Sequence, residues 1–153
     1  MEEICKKIVE KLNKNKNTIS FMESCTGGYL ASEITNIENA SNILKVSLVT
    51  YSTEYKEQFG VDKNIINKYT VYSIETAKEM SRNVSNFAKS NIGVGVTGQL
   101  GNNNNGENRV CYAIYLSDTN KYITKEIVVK KNKRYNMKRE VASCIFEDIL
   151  EAI

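Results

Sequence analysis

A short apolar run, Thr18 to Met22, leads directly into a small polar turn that ends in two glycines, Glu23-Ser-Cys-Thr-Gly-Gly28. The residues that follow, Tyr29 to Ile34, place apolar side chains at helical spacing. A strand, a tight turn and a helix N-terminus in this order are the building unit of an α/β fold. The turn suits either anion binding or a nucleophile displayed at the end of a strand.

Ser24 is the candidate nucleophile of this turn. Taken alone the turn is weak evidence for catalysis, because most such turns only redirect the backbone. Glu23 and Thr26 could equally cap the helix that follows. The chain contains no histidine, so a catalytic Ser24 would need a base of another kind to accept its proton.

Lys56 is the candidate base. It follows the apolar, β-branched run Lys45 to Tyr51, which predicts a buried strand, and sites form at strand ends in open α/β sheets. A lysine becomes a base when burial or a neighbouring cation lowers its pKa, and the hydroxyl of Tyr51 could relay the proton or orient the amine. The alternative interpretation is a solvated lysine beside a tyrosine at the edge of the core.

Two further segments are candidates for ligand binding. Thr97 and Gly98 end another predicted strand, where backbone N–H groups could hold an oxyanion or a phosphate, although a plain tight turn is the competing interpretation. Arg134, Lys138 and Arg139 begin the last predicted helix and could reach a phosphate. A charged, solvated helix face is the more common role for such residues.

The pattern of apolar residues predicts one domain over residues 1–153 in which strands and helices alternate. This order, with one hairpin, predicts a three-layer α/β/α sandwich around a mixed, mostly parallel sheet. The predicted helices span residues 1–12, 28–35, 52–59, 62–68, 73–87 and 133–152; the predicted strands span 18–22, 45–51, 92–97, 109–116 and 122–130. Ser73 and Asp62 are predicted N-caps, and residues 101–106 are predicted to form a low-complexity loop.

Composition limits the classes of function. A net charge of +3 is too small to indicate nucleic-acid binding. Four cysteines without CxxC spacing, in a chain with no histidine, predict no metal site. The sequence shows neither a signal peptide nor a transmembrane stretch, so we expect a cytoplasmic protein with reduced thiols and no membrane partner.

Taken together, these segments resemble the CinA C-terminal domain family, also known as nicotinamide-nucleotide amidohydrolases. The matching elements occur in the family's order over nearly the whole chain: Glu23-Ser-Cys-Thr-Gly-Gly28, Val49-Thr-Tyr-Ser52 with Lys56 and Gly60-Val61, Val71-Tyr-Ser73, and Val96-Thr-Gly98. The first element, followed by Thr-Tyr-Ser and a lysine, is highly specific.

The resemblance implies an α/β/α sandwich that hydrolyses the carboxamide of nicotinamide mononucleotide to nicotinate mononucleotide and ammonia, without a cofactor. Ser24 would be the nucleophile, and Tyr51 and Lys56 would handle the proton. The residues assigned to substrate binding are Glu23, Thr26, Gly27, Gly28, Ser52, Thr97, Gly98, Arg134 and Lys138. The family often forms homo-oligomers, which we also expect here, without the larger N-terminal domain that some members carry.

The chain departs from the family around the expected ligand. A family loop that typically reads Gly-Pro-Asp-Gly-Gly is Gly101-Asn-Asn-Asn-Asn-Gly106 here, and the Val-Gly opening the next strand is Val110-Cys111. The last helix offers Arg134 and Lys138 where the family has two arginines, and a lysine loses bidentate phosphate geometry. A catalytically weak nucleotide-binding or regulatory module is therefore the alternative function.

Overall fold

The computed structural model describes residues 1–101 and 107–153. The asparagine-rich segment 102–105 predicted as part of a loop lies outside the described residues. The helices are α1 (Glu2–Asn15), α2 (Tyr29–Thr35), α3 (Thr53–Gln58), α4 (Lys63–Tyr69), α5 (Ile74–Ala88) and α6 (Arg134–Ala152), with a 3-10 turn at Ala40–Asn42. The strands are β1 (Ile19–Glu23), β2 (Leu44–Val49), β3 (Ile92–Gly98), β4 (Asn108–Leu116) and β5 (Lys121–Val129).

The five described strands form one mixed sheet in the order β2-β1-β3-β4-β5. β1 pairs in parallel with both β2 and β3, whereas β4 runs antiparallel to β3 and to β5. Four strands therefore point in one direction and β4 in the other, which confirms the predicted α/β fold and mixed sheet.

The predicted burial of the second strand is wrong. Among the described strands, β2 pairs only with β1 and lies at the edge of the sheet, and each of its residues is either of intermediate burial or exposed. Its β-branched and apolar residues satisfy the strand pattern without requiring burial on both faces. The edge position leaves the turn after β2 accessible.

Helices cover both faces of the sheet. On one face α1, α2 and α6 pack on apolar side chains of the three central strands, among them Phe21, Val94 and Ile114. On the other face α5 crosses β3 at Gly95, where a Cβ atom would lie 2.4 Å from the carbonyl oxygen of Ala77. The glycine allows this close approach, which sets α5 against the strand whose end carries part of the site.

Side-chain caps fix the starts of α4 and α5, the two helices that flank residues 70–73. Ser73 accepts a hydrogen bond from the Thr76 amide at the start of α5, and Asp62 accepts one from the Asn64 amide at the start of α4. Both predicted caps are confirmed. In the described ranges no helix has the length and hydropathy needed to cross a membrane.

Candidate active site

A cavity of about 300 Å³ lies at the carboxyl ends of β1, β2 and β3. Each of these strands delivers one part of it: Ser24 directly follows β1, Tyr51 follows β2, and Gly98 ends β3. Because the three strands are parallel neighbours, residues far apart in sequence meet at one edge. The edge is the expected position for a site in an open α/β sheet.

Ser24 and Lys56 are in hydrogen-bond contact at the cavity. The Nζ atom of Lys56 lies 3.0 Å from Ser24 Oγ. Ser24 is 6% exposed and Lys56 is 1% exposed. The amide of Ser24 donates to the carbonyl of Val96 over 3.1 Å, which ties the nucleophile turn to β3. These contacts hold the Ser24–Lys56 pair in place, and both side chains are largely shielded from solvent.

Two backbone carbonyls orient the amine of Lys56. Its Nζ donates to Thr50 O over 2.7 Å and is 3.5 Å from Tyr51 O. A neutral amine has two N–H donors and one lone pair. When the two N–H bonds point at the carbonyls, the lone pair is left to face Ser24 Oγ, so the turn after β2 selects the orientation in which Lys56 accepts the serine proton.

Burial lowers the pKa of Lys56 from 10.5 to about 8, because its charged form is poorly solvated; the negative charge of a Cys25 thiolate would oppose this effect. At pH 7 about a tenth of such amines are neutral, against about one in 3,000 for an ordinary lysine. The amine is thus available as a base near neutral pH.

Cys25 also lines the cavity next to Ser24. Burial raises the pKa of its thiol to about 12, so the thiolate needed for nucleophilic attack is scarce near neutral pH. Ser24 is the better candidate of the two for the reacting group. Across the described residues, His, Cys, Asp and Glu side chains form no group of three that could hold a metal ion.

Glu23 holds the nucleophile turn and does not line the cavity. Its buried carboxylate accepts hydrogen bonds from the amides of Gly28, Leu30 and Ala31 at 3.0–3.2 Å and from the hydroxyl of Ser47 at 3.3 Å. An anion at the N-terminus of a helix satisfies free N–H groups and favours the helix dipole. The helix-cap interpretation of Glu23 is the one that the contacts bear out.

Tyr51 lines the cavity, but its hydroxyl is directed at a residue outside the Ser24–Lys56 pair. Arg134, at the start of α6, donates to this hydroxyl over 2.9 Å. Tyr51 is 60% exposed. The hydrogen-bond partner of the Tyr51 hydroxyl is therefore Arg134, whereas it is the backbone carbonyl of Tyr51 that accepts from Lys56.

A second cavity of about 350 Å³ adjoins the first through Arg134, which lines both. Its wall contains several residues predicted to bind substrate: Thr26, Gly27, Gly28, Arg134 and Lys138. Lys138 Nζ would be 3.0 Å from a Cβ atom built on Gly27, which has a φ of +63°. The hydroxyl of Thr26 is buried without a hydrogen-bond partner. The positively charged side chains of Arg134 and Lys138 thus line the second cavity together with the glycine turn.

The hydroxyls of Ser52 and Thr97 are used within the fold. Ser52 caps α3 by accepting from the Tyr55 amide over 3.4 Å, and Thr97 donates to Val71 O over 2.8 Å. Gly98 does line the cavity. It pairs opposite Val110, whereas Gln99 donates to β4. By the alternation of an antiparallel ladder, the Gly98 N–H points away from β4 and toward the side of β1.

Several cavity residues were missed by sequence reasoning. They are Cys25, Thr53, Val71, Tyr72, Gln99, Leu100 and Gly101. For Cys25, Val71 and Tyr72 a signal was available, since the Glu-Ser-Cys-Thr-Gly-Gly and Val-Tyr-Ser elements belong to the family resemblance. The remaining residues line the cavity because of the path of the backbone, which cannot be inferred from the type of side chain.

Comparisons with known proteins identify the same family over the whole chain and over long parts of it. Residues 1–153 match the family model described as CinA C-terminal domain. A protein of Thermoanaerobacter sp. (strain X514), named as competence-damage inducible, is 44% identical over 102 residues, which are 66% of this chain and 24% of the relative. A CinA-like protein of Prochlorococcus marinus (strain MIT 9215) is 33% identical over 135 residues, 86% of this chain and 31% of the relative. The chain thus spans only about a quarter to a third of the length of these curated relatives.

Solved structures show the same fold. The competence or damage-inducible protein of Enterobacter asburiae superposes with a TM-score of 0.89 at 23% identity, covering 99% of this chain and 96% of that one. The competence/damage inducible protein CihA of Agrobacterium tumefaciens gives a TM-score of 0.90 at 23% identity, covering 98% and 93%. These similarities concern the arrangement of helices and strands.

Proposed function

Because this chain belongs to the CinA C-terminal domain family, we propose that it is an amidohydrolase that converts nicotinamide mononucleotide to nicotinate mononucleotide and ammonia. The observation that carries the proposal is the 3.0 Å contact between Lys56 Nζ and Ser24 Oγ at the base of a cavity. Amide hydrolysis requires an attacking oxygen, a base for its proton and an acid for the leaving ammonia. Ser24 and Lys56 supply all three without a histidine.

In the first step Ser24 Oγ attacks the carboxamide carbon while its proton passes to the neutral amine of Lys56. The π electrons of the C=O bond move to oxygen, which gives a tetrahedral intermediate with a negative oxygen. The two carbonyls at Thr50 and Tyr51 that orient the neutral amine also stabilise the ammonium that forms.

The negative oxygen needs N–H donors. In the turn after Ser24, the amides of Gly27 and Gly28 already donate to Ser24 O and to the Glu23 carboxylate. The amides of Thr26 and Gly98 are therefore the proposed donors. Gly98 lines the cavity with its N–H on the β1 side. Preorganised backbone donors of this kind typically contribute several kcal/mol to transition-state stabilisation, about 3 kcal/mol for one donor.

In the second step the ammonium of Lys56 gives its proton to the amide nitrogen, the C–N bond breaks and ammonia leaves. The product is an acyl ester on Ser24. Lys56, neutral again, takes a proton from a water molecule that attacks the ester carbon, and it returns that proton to Ser24 Oγ as the acid is released. Proton transfer between Lys56 and Ser24 is direct in this scheme, in keeping with the engagement of the Tyr51 hydroxyl by Arg134.

The 5′-phosphate of the substrate would interact with Arg134 and Lys138. Arg134 lines both cavities, so a substrate with its carboxamide at Ser24 could extend toward the second cavity. A guanidinium and an ammonium are suitable partners for a phosphate dianion. Association into a homo-oligomer and a cytoplasmic location stay predictions.

The decisive experiment measures ammonia release from nicotinamide mononucleotide by the purified protein and by its Ser24→Ala variant. The proposal expects turnover by the wild type, and a loss of at least about 1,000-fold in the variant with an unchanged circular dichroism spectrum. Wild-type turnover in Ser24→Ala would contradict it. Nucleotide binding without ammonia release by the wild type would instead favour the catalytically weak binding module.

A further inference from the structure

Val71 and Tyr72 line the cavity, and several hydrogen bonds hold the backbone of residues 70–72. Thr97 Oγ1 donates to Val71 O over 2.8 Å, and the Cys111 thiol lies 3.5 Å from Tyr72 O. The Tyr72 amide donates to Thr70 Oγ1 over 3.3 Å. Hydrogen bonds from β3, from β4 and within the segment therefore fix the position of Tyr72 relative to Ser24.

Thr70 itself has a φ of 73° and a ψ of 162°, a region that is almost restricted to glycine. Its carbonyl accepts hydrogen bonds from the hydroxyls of Ser73 and Thr76 at 3.0 and 2.8 Å. Strained backbone of this kind persists only where surrounding contacts determine it. Such strain concentrates at ligand sites.

The side chain of Tyr72 is not used by the core. It is 42% exposed although its backbone is fixed, and the residue lines the cavity that contains Ser24. Tyr51, also largely exposed, lines the same cavity. Two tyrosines with accessible rings at a cavity of about 300 Å³ offer surfaces on which a planar aromatic group can stack.

We propose that Tyr72 is a specificity-determining residue, whose ring stacks on the aromatic ring of the carboxamide substrate and selects aromatic over aliphatic amides. The proposal deepens the proposed function and rests on it for the nature of the reaction. The anchored backbone of residues 70–72 fixes the point at the cavity from which the ring of Tyr72 projects. The ring then holds the carboxamide carbon within reach of Ser24.

The test separates ring recognition from phosphate recognition. Dissociation constants are measured by titration calorimetry in the Ser24→Ala background, so that turnover does not interfere, with nicotinamide mononucleotide and with ribose 5-phosphate, which has no aromatic ring. Tyr72→Ala should weaken binding of the mononucleotide about tenfold and change that of ribose 5-phosphate by less than about twofold. Tyr72→Phe, which restores a ring, should recover most of the lost affinity.

Tyr69→Ala is the matched control. Tyr69 is likewise a partly exposed tyrosine, at the end of α4, but it does not line the cavity. Its removal should leave both dissociation constants within about twofold. In the enzyme with Ser24 intact, Tyr72→Ala should raise KM about tenfold and change kcat by less than about threefold.

Equal losses for both ligands in Tyr72→Ala, unchanged affinity for the mononucleotide, or no binding of it to the Ser24→Ala protein would each overturn the proposal. If the wild type releases no ammonia but the calorimetric pattern is as expected, the proposed hydrolysis fails and ring recognition by Tyr72 stands. The two conclusions are therefore distinguishable.

Discussion

Arg134 donates a hydrogen bond to the hydroxyl of Tyr51 over 2.9 Å, joining the start of α6 to the turn that follows β2. The contact connects two walls of the cavity formed by segments far apart in the sequence. It leaves Lys56 as the group in contact with Ser24. The role of Tyr51 is therefore open to a direct test.

Tyr51→Phe should keep kcat within about threefold of the wild type and raise KM about five- to tenfold, because it removes a partner of Arg134 and leaves the backbone carbonyl near Lys56 in place. Steady-state ammonia release measures both constants. A fall in kcat of about 100-fold or more would instead assign the proton relay to the Tyr51 hydroxyl.

The rate should depend on the protonation state of Lys56. Its pKa is lowered to about 8 by burial, and the neutral form is the base. We expect kcat/KM to rise about tenfold per pH unit below pH 8 and to level off above it. Lys56→Arg, which cannot become neutral in this range, should lose the activity at every pH. A rate that does not change between about pH 6 and pH 9 would exclude Lys56 as the base.

Stability should depend on the same residue. Between about pH 8 and the ordinary lysine value, the unfolded chain binds a proton at Lys56 that the folded chain does not, so this group makes the free energy of unfolding rise with pH. Below pH 8 both states are protonated, and the buried charge costs roughly 3 kcal/mol. The stability of the wild type relative to Lys56→Met should therefore rise by about 2 to 3 kcal/mol between pH 7 and pH 10, whatever constant difference the lost hydrogen bonds of Lys56 add.

The contribution of Lys56 is seen in the difference between the unfolding free energies of the wild type and Lys56→Met, and not in the wild-type curve alone. Buried thiols such as Cys5 and Cys111 have raised pKa values and give the opposite dependence at high pH in both proteins. Urea unfolding at several pH values measures the difference. A constant difference between wild type and Lys56→Met from about pH 7 to 10 would contradict the assignment of a lowered pKa to Lys56.

Glu23→Gln should destabilise the protein by about 2 kcal/mol, because the amide nitrogen cannot accept the hydrogen bonds that the carboxylate receives at the start of α2. Activity should fall as well, since the turn carrying Ser24 loses its anchor. Glu38→Gln, at an exposed position, is the control and should change stability by less than about 0.5 kcal/mol. Equal denaturation midpoints for the two variants would show that the carboxylate is dispensable.

Thr70→Gly should stabilise the protein by up to about 1 kcal/mol, because relief of the unfavourable φ and ψ exceeds both the extra chain entropy of glycine and the loss of the hydrogen bond that Thr70 Oγ1 accepts from the Tyr72 amide. The same change at Thr124, on the exposed side of β5, should destabilise by about 1 kcal/mol. The opposite signs are the diagnostic result in thermal or urea unfolding. Destabilisation at both positions would show that Thr70 is not strained.

The sequence was sufficient for the order of elements and for two helix caps, because periodicity and cap chemistry are local properties. It was not sufficient for the burial of β2, since an edge strand and a central strand can have the same β-branched composition. Only the pairing of β1 with β3 decides which strand lies at the edge.

In the candidate site, too, some features could be predicted from the sequence and others depend on how the helices pack. Ser24, Lys56 and Gly98 could be selected by residue type and strand position. The burial of Lys56 and the direction of the Tyr51 hydroxyl depend on where α3 and α6 pack. Tyr72 was not selected, although the Val-Tyr-Ser element belongs to the family resemblance, because a tyrosine before a helix cap has no chemical signature of its own. Its place at the cavity depends on hydrogen bonds that β3 and β4 make to the backbone of residues 71 and 72.

The position of β1 between β2 and β3 has a consequence for synthesis. Ser24 leaves the ribosome before the carbonyl of Val96 that holds its amide and before the Arg134 side chain at the cavity wall. A growing chain therefore carries the serine before it has the strand that fixes it. The proposed hydrolytic activity should appear only after Arg134 has left the ribosome, so nascent chains that end before this residue should lack it.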